Sequence, residues 1–160
     1  MAFKIGDYVF HIHCGISLVK AIETMPGDES GRLFYVLAPL YGDDRNNVIR
    51  TPVDALCLKT PLSKAEALDV VSHWPDLTQD LYIKDSKARK AAYEAGLKRG
   101  DLRELAPLLE GAFQRKARDG HLNSMDAQFV NRATPLIYGE LALALDIPYE
   151  DVPDYLLIHA

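Results

Sequence analysis

The residues with the clearest capacity for chemistry are the basic side chains of one segment, residues 84–118. Lysine and arginine together number ten there, against five aspartates and glutamates, although the whole chain carries a net charge of −5. From residue 119 to the end the balance reverses, with seven acidic residues and one arginine. Clustered cations are typical of a surface that neutralises phosphates. The same pattern also suits a solvated helix face whose long basic side chains cover apolar packing.

Two aromatic residues strengthen the nucleic-acid interpretation of this segment. Tyr82 comes just before Lys84, and Trp74 stands at the end of the helix predicted before it. An aromatic ring beside phosphate-binding cations can stack on bases or wedge between them. A lone tryptophan usually packs in a core, however, so Trp74 is equally suited to anchoring the fold.

His11, His13 and Cys14 form a second group of chemically capable residues, since imidazoles and thiolates are metal ligands. On a strand the two histidines would share one face and the cysteine would point to the other. A common metal ion would therefore require a bulge, and no fourth ligand is evident. The sequence also lacks the motifs of a phosphate-binding loop, a serine nucleophile elbow or a zinc-protease helix. We expect no metal, no cofactor and no enzymatic activity.

The first sixty residues have the pattern of short β-strands. Segments rich in β-branched and aromatic residues alternate with turns that contain glycine, proline and aspartate. Strands so short cannot cover a large two-layer core, so we expect a small SH3- or Tudor-like β-barrel. The predicted strands span residues 8–13, 16–24, 32–40 and 46–51, with a possible fifth at 55–59.

From Pro61 onward the apolar residues follow a helical period. Ser63 and Glu66 have the spacing of a capping box and predict a helix that stops at Pro75. The fold class expected is therefore α+β, with a barrel domain over 1–60 and an all-α helical domain over 61–160. Further helices are predicted over 86–99, over 101–119, from Asn123 or Ser124 to about Leu145 with a kink or split at Pro135, and over 149–157.

Glu140 lies in an apolar stretch of the fourth long helix. It can be an ordinary surface residue, or it can pair with a basic residue of another helix, for which Arg89 and Arg132 are candidates. The sequence does not choose between these.

Composition favours a folded protein of the cytoplasm. Apolar residues make up 48% of the chain and charged residues 26%. We expect no membrane association, because no run of apolar residues approaches the roughly 18 that a membrane helix needs. The N-terminus also lacks the features of a signal peptide. Cys14 and Cys57 are expected to be reduced and buried.

Several short segments occur in a characteristic order. In the first half they are Phe3–Val9 (FKIGDYV), His13–Gly15 (HCG), Val19–Glu23 (VKAIE), Tyr35–Leu37 (YVL) and Ile49–Val53 (IRTPV). In the second half they are Arg89, Lys98–Asp101 (KRGD), Arg115-Lys116 and Tyr138–Ala142 (YGELA). Together they resemble the CarD/CdnL family of bacterial transcription regulators, over nearly the whole chain.

The resemblance implies a Tudor-like domain that docks on the β subunit of RNA polymerase by offering a strand edge. Arg50 stands where the family has a basic residue that contacts the polymerase, and Val48 lies beside it. Met25 occupies a position that is commonly basic in the family, so the docking surface departs there from the usual pattern.

The resemblance also implies a helical domain that contacts promoter DNA and wedges an aromatic ring, usually tryptophan, into the minor groove. In this sequence the wedge falls on Tyr82, seven residues before Arg89, or on a displaced Trp74, or it is absent, since an ungapped count from Gly100 falls on Ser86. The DNA contacts expected are Tyr82, Lys84, Lys87, Arg89, Lys90, Arg99 and Trp74.

The function expected is regulation of transcription by modulating the stability of the open promoter complex. Tethering to the polymerase would allow the DNA contact to be weak and largely independent of sequence. Two alternatives stay open. One is a polymerase-bound adaptor that recruits another protein and does not touch DNA; the other is a small metal-dependent enzyme that uses His11, His13 and Cys14.

Overall fold

Five strands in the first sixty residues form one antiparallel sheet. The structure, a computed structural model, describes residues 2–79 and 82–160. The strand order is β4-β3-β2-β1-β5, and each predicted strand is present within a few residues of its expected bounds. The strands are β1 (Tyr8–His11), β2 (Gly15–Thr24), β3 (Leu33–Pro39), β4 (Ile49–Pro52) and β5 (Leu58–Lys59).

The sheet buries apolar side chains on both of its faces. Alternation along β1 sends Val9 into a small cluster with Val19 and Tyr35, while its neighbour Phe10 joins the larger core formed with the helices. A register shift between Val19 and Ala21 marks an irregularity in β2, which bends the strand.

The sheet remains open, so the predicted closed barrel is not seen. Among the described residues, β4 pairs only with β3 and β5 pairs only with β1. One reason is that β5 offers only two residues for pairing. The α+β class is confirmed. Strands β1 to β4 pair in sequence, β5 pairs with β1, and no pairing between β4 and β5 closes the sheet among the described residues.

The second half is helical, as the periodicity predicts. The capping box at Ser63 and Glu66 is present, and Asp85, Asp101 and Asn123 cap the three long helices. Each cap accepts a hydrogen bond from a backbone N–H that the first turn leaves without a partner. The helices are α1 (Lys64–Ser72), α2 (Trp74–Leu77), α3 (Ser86–Arg99), α4 (Leu102–Asp119), α5 (Ser124–Leu145) and α6 (Val152–His159), with a 3-10 turn at Tyr149–Asp151.

Two prolines behave differently from the prediction. Pro75 does end the preceding helix, but it also opens the short helix α2, because a proline in the first turn loses no hydrogen bond. Pro135 lies inside α5, which continues to Leu145, so of the two expected outcomes the split is wrong and the kink stays a prediction. Loss of one backbone hydrogen bond is offset there by the packing of Ala133 and Leu136, both buried on either side of the proline.

Helix α5 is the centre of the packing. Ile137 and Leu141 are fully buried, and α5 contacts β2 on one side and α1 and α4 on others. Complete burial of one such aliphatic side chain contributes about 1.5–3 kcal/mol. Helix α5 therefore joins the sheet to the remaining helices.

Glycines allow the sheet and the helices to approach closely. A methyl group added at Gly139 of α5 would lie 2.6 Å from Cδ2 of Tyr41, which follows β3. Gly100, which ends α3 with φ of +64°, would place the same group 2.9 Å from Cβ of Ile12. Both distances are shorter than any real contact, so only glycine fits this packing. A domain boundary at residues 60 and 61 stays a prediction.

No helix in the described part of the chain is both long and apolar enough to cross a membrane.

Candidate functional site

One edge of the sheet is formed by β4, and β5 forms the other. Among the described residues β4 has β3 as its only strand partner, so its other side is free of strand pairing, although the Pro52 carbonyl oxygen accepts a hydrogen bond from the backbone N–H of Ala55. Arg50 lies on β4 with an exposed side chain, and its Nη2 is 3.5 Å from Oε1 of Glu23. An edge of this kind can accept a further strand from another protein.

Of the other two predicted polymerase contacts, Val48 lies beside Arg50 at this edge, whereas Met25 follows β2, which β3 separates from β4. Val48, just before β4, is 60% exposed. Met25, half-buried, follows the last residue of β2, and β2 reaches that point opposite the far end of β4. The structure therefore places Val48 and Arg50 together at the β4 edge and Met25 at the end of another strand.

Exposed lysines cover one side of α3. Lys84 precedes the helix, and Lys87 and Lys90 are one turn apart on it. Lys98 lies eleven residues after Lys87, or about three helical turns, which returns it to the side of Lys87. Among the described residues no carboxylate is within ion-pair distance of these four lysines. Glu94 is the acidic residue of that side. We call Lys84, Lys87, Lys90 and Lys98 the lysine face.

Arg132 extends the lysine face onto a second helix. It lines a cleft of about 240 Å³ together with Lys98, Glu94 and His13. The DNA contacts predicted from the sequence included neither Lys98 nor Arg132. Helical spacing from Lys87 would have found Lys98, but no sequence signal connects Arg132 to α3, because the two helices meet only in the fold.

Arg99 does not belong to the lysine face. It comes twelve residues after Lys87, which places it on a different side of α3. Its Nη1 is 3.2 Å from Oε1 of Glu104 in a largely exposed ion pair. Exposed pairs of this kind are weak, so Arg99 can still turn toward an anion, at a separate surface.

Arg89 is buried, which corrects its prediction as a DNA contact. Its side chain is 4% exposed, and its Nε donates a hydrogen bond of 2.8 Å to Oδ1 of Asp126 on α5. Its Nη1 donates to the carbonyl oxygens of Ile83 and Lys84, at 2.9 and 3.2 Å. Nε and Nη1 of the guanidinium are therefore both engaged inside the protein. It holds the start of α3 against α5.

Tyr82 belongs to the same buried cluster. Its hydroxyl donates to Oδ2 of Asp126 at 2.9 Å, and the guanidinium carbons of Arg89 and Arg115 lie 4.7 and 5.0 Å from its ring centroid. Tyr93 donates to Oδ1 of Asp126 at 2.9 Å. Burial and then the hydrogen bond to Asp126 raise the pKa of Tyr82, so the phenol stays protonated as a donor.

Neither predicted aromatic is presented to solvent as a wedge. Trp74 is only 6% exposed and belongs to the main core. Tyr82 is half-buried and would have to leave Asp126 before its ring could enter a DNA step. Both rings are held by packing, and which residue, if either, acts as the wedge stays a prediction.

Glu140 ties the connection between sheet and helices to α5. It is 2% exposed, and its Oε2 accepts a hydrogen bond of 3.1 Å from the backbone N–H of Leu62. The suggested pairing with Arg89 is wrong, since Arg89 pairs with Asp126. Burial raises the pKa of Glu140, against opposing effects of the Leu62 hydrogen bond and of Lys59.

The histidine and cysteine residues are close in space but do not form a metal site. His11 Nδ1 accepts from the backbone N–H of His13 at 3.1 Å, and His11 Nε2 is 3.6 Å from Cys57 Sγ. Burial lowers the pKa of His11, which suits a neutral ring with its proton on Nε2. Burial raises the pKa of Cys14 to about 11. Over 2–79 and 82–160, no three potential ligands are arranged to hold a metal ion.

Comparison with known families decides what the sheet is. Residues 3–65 match a family described as the CarD-like/TRCF RID domain, in which RID denotes an RNA polymerase-interacting domain. This match identifies residues 3–65 as similar to a CarD-like domain. The resemblance predicted from the sequence is confirmed over residues 3–65, and the matched family is a non-catalytic domain with a transcription-related function. The match ends within α1, so membership of the helical half in the same family stays a prediction.

Replacing Arg89 with methionine tests the buried cluster. We expect Arg89→Met to lower the free energy of unfolding by about 3–5 kcal/mol, because Asp126 would keep a buried charge without its partner. Urea denaturation measures the change. The matched control is Arg99→Met, which removes an exposed pair and is expected to cost less than about 1 kcal/mol.

A double variant separates loss of charge balance from loss of packing. Arg89→Met combined with Asp126→Asn removes the unpaired charge and should recover part of the lost stability. Equal destabilisation by Arg89→Met and Arg99→Met would show that the buried pair does not organise this region.

The raised pKa of Glu140 predicts a pH dependence of stability. A carboxyl whose pKa is higher in the folded than in the unfolded protein favours folding while protonated and loses that contribution as the pH rises. The stability of Glu140→Gln relative to the native chain should therefore increase between pH 4 and pH 7. Thermal unfolding at several pH values measures this difference.

Glu66→Gln is the control of opposite sign. The hydrogen bonds from Ser63 lower the pKa of Glu66, so its contribution is present at neutral pH and disappears in acid. The stability of Glu66→Gln relative to the native chain should decrease over the same pH range. Parallel slopes for the two variants would contradict the assigned pKa directions.

Proposed function

We propose that this protein docks on the β subunit of RNA polymerase through the free edge of β4 and contacts promoter DNA through the lysine face, thereby modulating the stability of the open complex. The observation that carries the proposal is the unpaired β4 edge, with Arg50 exposed on it, in a domain of the polymerase-interacting family. Strand addition supplies backbone hydrogen bonds, and Arg50 would add a charge-assisted contact.

The packing between sheet and helices supports a fixed spatial relation between the two surfaces. Gly100 ends α3 in direct contact with Ile12 of the CarD-like domain, and Lys59 Nζ lies 3.5 Å from the Gly100 carbonyl oxygen. At its other end α3 is held by Arg89 and Asp126. The lysine face would then have one orientation relative to a polymerase bound at β4 and to the DNA that the polymerase holds.

Phosphate contacts are the chemistry that the lysine face favours. Lys84, Lys87, Lys90 and Lys98 are point charges on flexible stems, suited to sequence-independent neutralisation. Arg132 would add a fifth cation from α5. Tethering raises the local concentration of DNA, so few contacts suffice despite the net negative charge of the chain. A bias of roughly 1–3 kcal/mol on promoter opening is the usual scale of such coupling.

Reversing the charge of Arg50 tests polymerase docking. We expect Arg50→Glu to weaken co-purification with core RNA polymerase at least about tenfold, since loss of a charged interface contact costs about 2 kcal/mol or more. Arg118→Glu is the matched control, because it makes the same charge change at an exposed position of α4. Equal retention of both variants by the polymerase would refute docking at β4.

Neutralising the lysine face tests the DNA contact. The triple change of Lys87, Lys90 and Lys98 to alanine should shorten open-complex lifetime, or reverse whatever effect the native protein has, while polymerase binding is retained. The salt dependence of the effect should weaken by roughly one unit of slope per lost phosphate contact.

A second triple variant of Lys64, Lys116 and Arg118 to alanine removes the same charge from other helices and is expected to behave as the native chain. If the two triple variants have equal effects on promoter complexes, specific DNA contact by α3 is excluded. The adaptor alternative would then be favoured.

A further inference from the structure

An apolar groove lies between four helices at the C-terminal end of the chain. It has a volume of about 510 Å³ and is bordered by α2, α4, α5 and α6. Its lining is mainly aromatic and aliphatic, with Trp74, Phe113, Tyr138, Pro153 and Leu156. The groove shares no residue with the β4 edge or with the lysine face, so neither proposed contact occupies it.

The last helix adds exposed apolar side chains beside this groove. Leu157, which also lines the groove, is 83% exposed, and its neighbour Ile158 is 74% exposed. Single exposed aliphatic residues are ordinary on a protein surface. Two in succession at the rim of an apolar groove form a surface of the kind that binds other proteins.

One carboxylate lies within this apolar lining. Glu110 of α4 borders the groove and is half-buried. Among the described residues no cation is within ion-pair distance of Glu110, and the lining contains no lysine or arginine. Burial raises the pKa of Glu110, because the carboxylate loses water without gaining a counter-charge. A cation supplied by an occupant would reverse that loss.

We infer that this groove is a docking site for an amphipathic helix of a partner protein that inserts apolar side chains beside Trp74 and pairs a lysine or arginine with Glu110. Helices bind grooves of this kind through apolar residues one turn apart. The cation would provide orientation and specificity, since a half-desolvated ion pair discriminates strongly against a partner of the wrong charge.

Charge complementarity disfavours a second copy of this chain as the occupant. The residues around α6 are acidic, with Glu150, Asp151 and Asp154 near its start. In a two-fold contact the same surface faces itself, so these carboxylates and Glu110 would approach their own equivalents. The C-terminal helix offers only His159 as a basic residue. A cationic helix from a different protein avoids this repulsion.

Selection from a library of displayed helices identifies the occupant chemistry directly. The immobilised bait is the full chain, and Leu157→Asp serves for counter-selection, because an exposed position tolerates the change without unfolding. We expect enriched sequences to combine apolar residues at helical spacing with lysine or arginine. Enrichment of acidic helices, or no enrichment over the Leu157→Asp bait, would overturn the inference.

Trp74 gives a measurement of affinity without labelling, since it is the one tryptophan of the chain. A selected peptide without tryptophan is titrated while Trp74 emission is followed, and saturable quenching or a spectral shift is expected. Replacing the peptide's cation with glutamine should weaken binding about tenfold to the native chain. It should have no effect on binding to Glu110→Gln.

Glu104→Gln is the control, because it removes a carboxylate from the same helix outside the groove. A tenfold preference for the cationic peptide that persists in Glu110→Gln would show that another acidic residue makes the contact and would overturn the assigned pairing. Sedimentation of the chain alone completes the test. A dimer that Leu157→Asp dissociates would make a second copy the occupant and would likewise overturn the proposal.

Discussion

The buried ion pair between Arg89 and Asp126 is the interaction on which the arrangement of the helical half depends. Burying two charges costs free energy, and additional hydrogen bonds to both partners offset that cost. Tyr82 and Tyr93 donate to the Asp126 carboxylate, and Arg89 Nη1 donates to two backbone carbonyl oxygens. The pair fixes where α3 begins relative to α5. Arg89, which the sequence suggested as a DNA contact, thus has a structural role. By holding the start of α3 against α5, it determines where the exposed lysines of α3 lie.

The sheet and the helices depend on each other through close packing. The small apolar cluster inside the sheet is limited, whereas Phe10 and Ile16 on its other face belong to the large core around α5. Gly100 and Gly139 permit this contact because neither has a side chain to hold the two layers apart. The helices cover the face of the sheet that carries Phe10 and Ile16, so closure into a barrel is not required to exclude water from that face. Its outer strand β4 is left free for a partner.

Charge is only partly separated in space, because Arg89 pairs with Asp126 and Arg115 with Asp119. The lysine face lies on α3, while Glu150, Asp151 and Asp154 lie near the start of α6, which borders an apolar groove. A protein that carries a polymerase-interacting domain, a cationic surface and an apolar acidic surface has three chemically distinct faces. Within the described part of the chain, no three potential ligands are arranged to hold a metal ion.

The sequence by itself determined the elements and the family. Capping residues such as Ser63 and Asp85, the turn glycines and the two periodicities depend on neighbours within a few residues, so they can be identified from the chain alone. Tertiary structure decided which cations are exposed. Arg89 and Lys90 are adjacent and chemically alike, yet Asp126, far along the chain, buries the first and leaves the second in water. Tertiary structure also decided that Arg132 of α5 lies beside Lys98 of α3, that Trp74 packs in the core and that the sheet stays open. Each of these depends on contacts between distant segments, and the energies of such contacts have no counterpart in local sequence pattern.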